Sequence, residues 1–267
     1  MIITTLVENS IGENNELSNE HGLSFYIEYN NKNILFDTGQ SSIVLTNAKK
    51  MNKSLSDLDY LFMSHGHYDH AGGFVYIAPK LSDETQVFVG EGFFNPKYKL
   101  IENGYKANGI NFNKNNVVNL NEISVTTELD DVVIFKDFDK FNDFEYIPSK
   151  FKLKIDNEYI LDEFKDEIAL GLKYKDGIVL IVGCSHIGIV NIMTSVIEQG
   201  YNIKAVIGGS HLVNSNEERV RKTIDYINSL KMDLVSFCHC SGLDNIKRME
   251  KEVNNFVVNY TGKIIEL

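Results

Sequence analysis

Two kinds of segment alternate along the chain. Short apolar runs, with period two or none, are bounded by Gly, Asn and Asp and predict strands. They fall at residues 2–8, 22–29, 33–37, 59–63, 86–90, 167–174, 178–182, 203–207, 234–237 and 263–267. Between them, apolar residues recur at helical spacing: Ile43, Val44, Ala48 and Met51; Ile189, Ile192, Val196 and Ile197, stopped by Gly200; Val220, Ile224, Ile227 and Leu230; Ile246, Met249 and Val253. Each set predicts an amphipathic helix, and a further helix is expected near 74–79. Asn30-Asn31-Lys32 reads as a hairpin turn. Ser215 with Glu218 reads as a capping box opening the third helix. From about 91 to 165 the pattern weakens. This stretch is rich in Asn, Lys, Asp and Phe, with strand candidates only at 123–127 and 132–138. It is expected as an insertion that either covers a site and selects its substrate, or forms a peripheral hairpin.

The strand ends carry the chemistry. The buried run at 59–63 leads into Ser64-His65-Gly66-His67-Tyr68-Asp69-His70-Ala71-Gly72-Gly73, with three histidines and an aspartate in six residues. Imidazole and carboxylate in that density suit zinc and other borderline metals, and the flanking glycines let the backbone turn those side chains toward one point. The run at 178–182 ends in Gly183-Cys184-Ser185-His186, the run at 203–207 in Gly208-Gly209-Ser210-His211, and the run at 234–237 in Cys238-His239-Cys240. Six of the seven histidines follow a strand, and His21 precedes one. Ligand sites of α/β proteins lie beyond strand carboxyl ends, so the repetition points to one metal site. Asp37, where the 33–37 run ends, is open to two readings: it caps the next helix, or it orients a metal-bound histidine or water. Cys238 and Cys240 flank His239 and are expected on the opposite strand face, in the core.

Composition narrows the function. At 267 residues the chain fits one large domain or two small ones, and 43% hydrophobic with 24% charged residues is a globular balance. No apolar stretch has membrane-spanning length, and the N-terminus lacks a basic lead and a long apolar core, so neither a membrane span nor a signal peptide is expected. Three cysteines make no disulfide framework and point to a reducing, cytoplasmic compartment. A formal net charge of −11 disfavours nucleic acid as a partner. No Gly-x-Ser-x-Gly turn or phosphate-cradling Gly-rich loop is present, so the expected partner is a small-molecule substrate handled by metal ions. A homo-oligomer remains open.

These residues resemble the metallo-β-lactamase superfamily, whose signature is the His-x-His-x-Asp-His run. More narrowly, Glu20-His21-Gly22-Leu23-Ser24, Phe36-Asp37-Thr38-Gly39-Gln40, Gly183-Cys184-Ser185-His186, Gly208-Gly209-Ser210-His211-Leu212 and His239-Cys240-Ser241-Gly242 resemble its dihydropteroate-synthase-like branch. That branch is named after the 7,8-dihydropterin-6-methyl-4-(β-D-ribofuranosyl)aminobenzene-5′-phosphate synthase. The resemblance implies an α/β (α+β) fold: one domain over 1–267, an αββα sandwich of two mixed sheets flanked by helices, with the insertion at about 91–165. It implies two divalent ions, zinc first, with manganese or iron as alternatives. His65 and His67 would bind the first ion, and Asp69, His70 and His239 the second. The superfamily's usual third histidine for the first ion is missing between His70 and His186, and Cys184 stands where a bridging aspartate is usual. His186 is therefore assigned as the third ligand and Cys184 as a bridging or supporting group. Asp69 would also orient the attacking hydroxide, and His211 would either bind metal or bind a substrate oxyanion or phosphate. The implied activity is hydrolysis of a small phosphorylated or ester substrate by a metal-bound hydroxide. The alternative is a transferase-like synthase joining a dihydropterin diphosphate to an aryl ribosyl phosphate. A di-iron redox protein is a weaker third reading, because such centres usually want more carboxylates.

Overall fold

Strand Gln86–Gly90 is buried from its second residue onward, and Tyr60–Met63 throughout, as unbroken apolar runs demand of strands covered on both faces. A computed structural model describes residues 1–13 and 16–267 and divides them into two units. The first comprises Met1–Glu122, Ser149–Asp166 and Tyr260–Leu267; the second comprises Ile123–Pro148 and Glu167–Asn259.

In the first unit, Ile2–Val7, Ser24–Tyr29 and Lys32–Phe36 pair antiparallel, and Lys32–Phe36, Tyr60–Met63 and Gln86–Gly90 continue parallel. Ile264–Glu266 and Leu120–Ile123 flank this sheet. The hairpin turn is where the pattern placed it: Asn30 and Asn31 hold φ of 45° and 59°, the left-handed region that Asn tolerates and that matches the strand twist. Helix Ile43–Lys50 lays Val44 and Ala48 into a core with Leu6, Leu35, Leu61, Met63 and Phe74. The expected helix near 74–79 is short and split, with Tyr68–Ala71, Phe74–Ile77 and a 3₁₀ turn at Ala78–Lys80.

The second unit builds a sheet in the order Leu234–Cys238, Ile203–Gly209, Gly177–Val182, Ala169–Tyr174, Val132–Phe135, Thr127–Leu129. Its first three strands run parallel and are joined by helices Ile189–Glu198 and Glu217–Ser229. Ile192, Val196, Val220, Ile224 and Ile227 pack with Leu180, Val206 and Val235 in its core.

The region 91–165 contributes strands to more than one sheet. Lys97–Ile101, Gly104–Ala107, Phe151–Ile155 and Glu158–Leu161 form a third sheet belonging to the first unit, while Thr127–Leu129 and Val132–Phe135 join the second unit's sheet. The expected strand at 123–127 falls between two observed strands, Leu120–Ile123 and Thr127–Leu129. The capping box is also corrected. Asn216, not Ser215, caps helix Glu217–Ser229, its side chain accepting from the Arg219 N–H at 2.9 Å. No helix among the described residues is long and apolar enough to cross a membrane.

Candidate metal centre

In the first unit the turn after Tyr60–Met63 folds three histidines onto one another. His65 Nε2 lies 3.1 Å from His67 Nδ1, and the His65 ring stands 4.7 Å from that of His67 and 4.3 Å from that of His70. Two nitrogens bound to one tetrahedral zinc at 2.0–2.1 Å would stand about 3.3 Å apart, so the pair fits a shared cation. Burial first, and then the neighbouring imidazoles of His70 and His67, hold His65 well below the usual histidine range. It is therefore neutral at pH 7, the form a metal takes.

The path of the turn depends on close backbone approach. A Cβ at Gly66 would sit 2.2 Å from the Phe93 carbonyl oxygen, and one at Gly73 2.0 Å from that of Thr38. Asp37, at φ 59°, accepts from the Ser64 N–H at 2.7 Å and the Ser64 hydroxyl at 2.8 Å, and its Oδ2 lies 2.6 Å from His70 Nδ1. Helix Ile43–Lys50 instead has Ser42 at its N-cap. Of the two readings of Asp37, the one that orients a histidine fits this geometry. Asp69 is 7% exposed, and His21 Nε2 lies 3.0 Å from its Oδ2.

Sequence reasoning missed the support behind this turn. Lys97, 2% exposed, pairs with Asp162 at 2.9 Å and with Asp166 at 2.8 Å, and the other oxygen of Asp166 accepts the Gly66 N–H at 2.8 Å. Burial opposes the charge on Lys97, but the two aspartates outweigh it and raise the ammonium above its ordinary range. Phe164 and Phe151 set their rings 5.3 and 5.4 Å from that of His67. No motif marks Lys97, Asp162 or Asp166.

In the second unit, three parallel strands end side by side and each end bears donors. Ser185 Oγ donates to the Gly209 carbonyl at 2.7 Å, and the Ser210 and Ser241 hydroxyls lie 2.8 Å apart, lacing the turns together. Donor atoms of Cys184, His186 and His211 lie within 4.8 Å of one another, as do those of Cys184, His239 and Cys240. Ser185, His211 and His239 all hold left-handed φ, at 58°, 48° and 52°; such backbone strain concentrates at functional sites. Glu167 fixes the first turn by accepting from the His186 N–H at 2.9 Å and the Ile187 N–H at 3.2 Å.

Cys240 is buried, as expected, and also joins a group of donors. After Cys238 the chain leaves the strand for a 3₁₀ turn, His239–Ser241, so the alternation stops one residue early. Cys238 is buried core, with its thiol 3.5 Å from the Gly208 carbonyl. Cys240 Sγ instead accepts from the His211 N–H and donates to the Cys184 carbonyl, each at 3.3 Å. Burial would raise its thiol, but the side chain of Cys184 and the neighbouring imidazoles of His211 and His239 hold it well below the ordinary thiol range.

The comparisons agree with this chemistry. Residues 18–145 match the family model described as the metallo-beta-lactamase superfamily. An uncharacterized protein of Methanocaldococcus jannaschii is 32% identical over 92% of this chain and 93% of its own. The 7,8-dihydropterin-6-methyl-4-(β-D-ribofuranosyl)-aminobenzene-5′-phosphate synthase of the same organism is 31% identical over 99% of this chain and 96% of its own. A solved metal-dependent hydrolase of the β-lactamase superfamily matches with a TM-score of 0.84 at 29% identity, covering 100% of this chain and 99% of that one. The chain belongs to the metallo-β-lactamase superfamily, in the branch resembling that synthase, and has the superfamily's mixed α/β fold.

Proposed function

We propose that this chain is a metal-dependent hydrolase that cleaves a small phosphorylated or ester substrate. In this reading the strand-end donors serve two divalent ions, zinc first, with manganese or iron as alternatives. The observation that carries the reading is that each unit gathers buried His, Cys or Asp donors where its strands end, in a chain of this superfamily. His65, His67 and His186 would hold the first ion and Asp69, His70 and His239 the second, with Cys184 as a bridging or supporting group. Two such ions would supply a water made nucleophilic at neutral pH and positive charge for the attacked and leaving oxygens.

The chain's own residues do the rest. Asp37 accepts the Nδ1 proton of His70 and so leaves the other ring nitrogen to ligate. Asp69, with His21 beside it, orients the proton of the attacking water. His211 faces the oxyanion that forms on the substrate. The free substrate is taken from the cytoplasm, without a membrane or nucleic-acid partner.

A second reading is favoured by the 31% identity to the synthase over nearly the whole chain. There the ions held by these residues would supply positive charge for diphosphate to leave a dihydropterin diphosphate, and an aryl ribosyl phosphate would take the place of water. The test is to load the purified protein with metal and supply phosphodiesters, lactones and a pterin diphosphate, with and without the aryl acceptor. Product without acceptor is expected; turnover that requires the acceptor replaces hydrolysis with the synthase reaction. His67→Ala and Asp69→Ala are expected to lose metal and activity with an unchanged far-ultraviolet circular dichroism spectrum. Full metal occupancy in both would contradict the assignment.

A further inference from the structure

Arg219 lies in the first turn of helix Glu217–Ser229, in the second unit, and only 2% of it is exposed. Its Nη1 donates to the Tyr146 carbonyl at 3.2 Å, and the Tyr146 ring centre lies 5.5 Å from the guanidinium carbon. Nε and Nη2 are buried and have no hydrogen-bond partner among the described residues. Those two nitrogens form the side-on fork of a guanidinium, two parallel donors spaced to meet two oxygens of one phosphoryl or carboxylate group. A buried guanidinium fork left unmet is costly.

The neighbours do not meet it. Glu145 acts on Arg219 as an opposite charge, but its carboxylate accepts from the Val190 and Asn191 N–H groups at 3.0 and 2.8 Å and from Asn142 at 3.0 Å, at the start of helix Ile189–Glu198. One turn along the same face of Arg219's helix, the Thr223 hydroxyl is also buried and without a partner among the described residues. Cys240, of this unit's donor cluster, lies within electrostatic reach of the guanidinium. Tyr146, half exposed in an irregular segment, is the cover over the fork.

We infer that the Arg219 fork is an anion site that takes a phosphoryl group, the group by which a phosphorylated substrate is held beside the second unit's donors. Tyr146 swings aside to admit it, and Thr223 adds a hydroxyl donor. The word substrate rests on the proposed hydrolysis; the site itself does not, and its test uses no turnover.

The chain has three arginines, Arg219, Arg221 and Arg248, so a nitrogen-15 spectrum of the Arg Nε–H groups carries three signals. Protein stripped of metal with a chelator, so that phosphate cannot bind to ions, is titrated with inorganic phosphate and, separately, with acetate. The Arg219 signal is the one lost in Arg219→Lys; if that variant does not fold, Arg221→Lys and Arg248→Lys identify it by elimination. The expected result is a saturable shift of the Arg219 signal with phosphate, with a smaller shift for acetate. An Arg219 signal that stays fixed while phosphate rises overturns the site, and a larger response to acetate overturns its assignment to phosphoryl groups. Saturable phosphate binding in a protein that hydrolyses nothing would leave the site standing and the hydrolase reading fallen.

Discussion

Asp37 shows how one residue ties sequence to chemistry. A carboxylate ending a strand is a common helix cap, yet this one is fully buried and engages the Ser64 N–H, the Ser64 hydroxyl and His70 at once. Removing such an outer partner of a ligand typically costs 10–100-fold in metal affinity, so Asp37→Ala is expected to weaken zinc binding by about that factor in competition with a chromogenic chelator. Unchanged affinity would mean that His70 is held by something else. Lys97 acts on the same turn from further back, through Asp166 and the Gly66 N–H. Lys97→Met strands two buried carboxylates and is expected to cost about 3–5 kcal/mol in urea unfolding at pH 8, the usual penalty for breaking a buried ion pair. The pH dependence has a definite sign. Because the folded protein raises this ammonium above its ordinary 10.5, its contribution is complete below pH 10.5 and is lost as pH rises through the raised value. The gap between native and Lys97→Met stability should therefore narrow above pH 10.5; a constant gap would deny the ion pair its role.

At the scale of elements, helix Glu217–Ser229 gives a clean contrast. Asn216→Ala removes the side chain that accepts the Arg219 N–H and should cost about 1 kcal/mol in thermal or urea unfolding, whereas Ser215→Ala should change little. Equal effects would restore the sequence-based cap. That cap was misplaced by one residue because Ser and Asn stand side by side, and both are good caps. The parallel strands were legible for a plain reason: buried on both faces, Tyr60–Met63, Gly177–Val182 and Ile203–Gly209 are nearly unbroken apolar runs. The sheet built from Lys97–Ile101, Gly104–Ala107, Phe151–Ile155 and Glu158–Leu161 was not. Its strands are half exposed and lysine-rich, and Leu100, Ile101, Tyr105, Ile155, Ile160 and Leu161 all remain exposed, so no clean alternation marks a buried face. Tyr105 and Tyr159, stacked at 3.7 Å, are a contact between residues 54 positions apart that local patterning does not reveal. The donors were legible because they follow apolar runs. Alternation places Cys240 in the core, where it is buried, but the strand ends at Cys238 and the turn also brings its thiol to the donors, while the Lys97, Asp162 and Asp166 set comes together only in the folded chain.

For the whole molecule, the central proposal is that the donors at the strand ends hold a pair of divalent ions. The first set comes from a single turn, His65 to His70, backed by Asp37 and by the Lys97 cluster. The second comes from three adjacent strand ends and includes two thiols, a softer donor set than imidazole and carboxylate alone. The most direct measurement is anomalous X-ray diffraction from zinc-loaded crystals, recorded on both sides of the zinc edge. The account predicts two peaks about 3.5–4 Å apart, one bound by His65, His67 and His186 and the other by Asp69, His70 and His239. Peaks confined to the donors of one unit, or a single ion touching neither His65 nor His67, would contradict it.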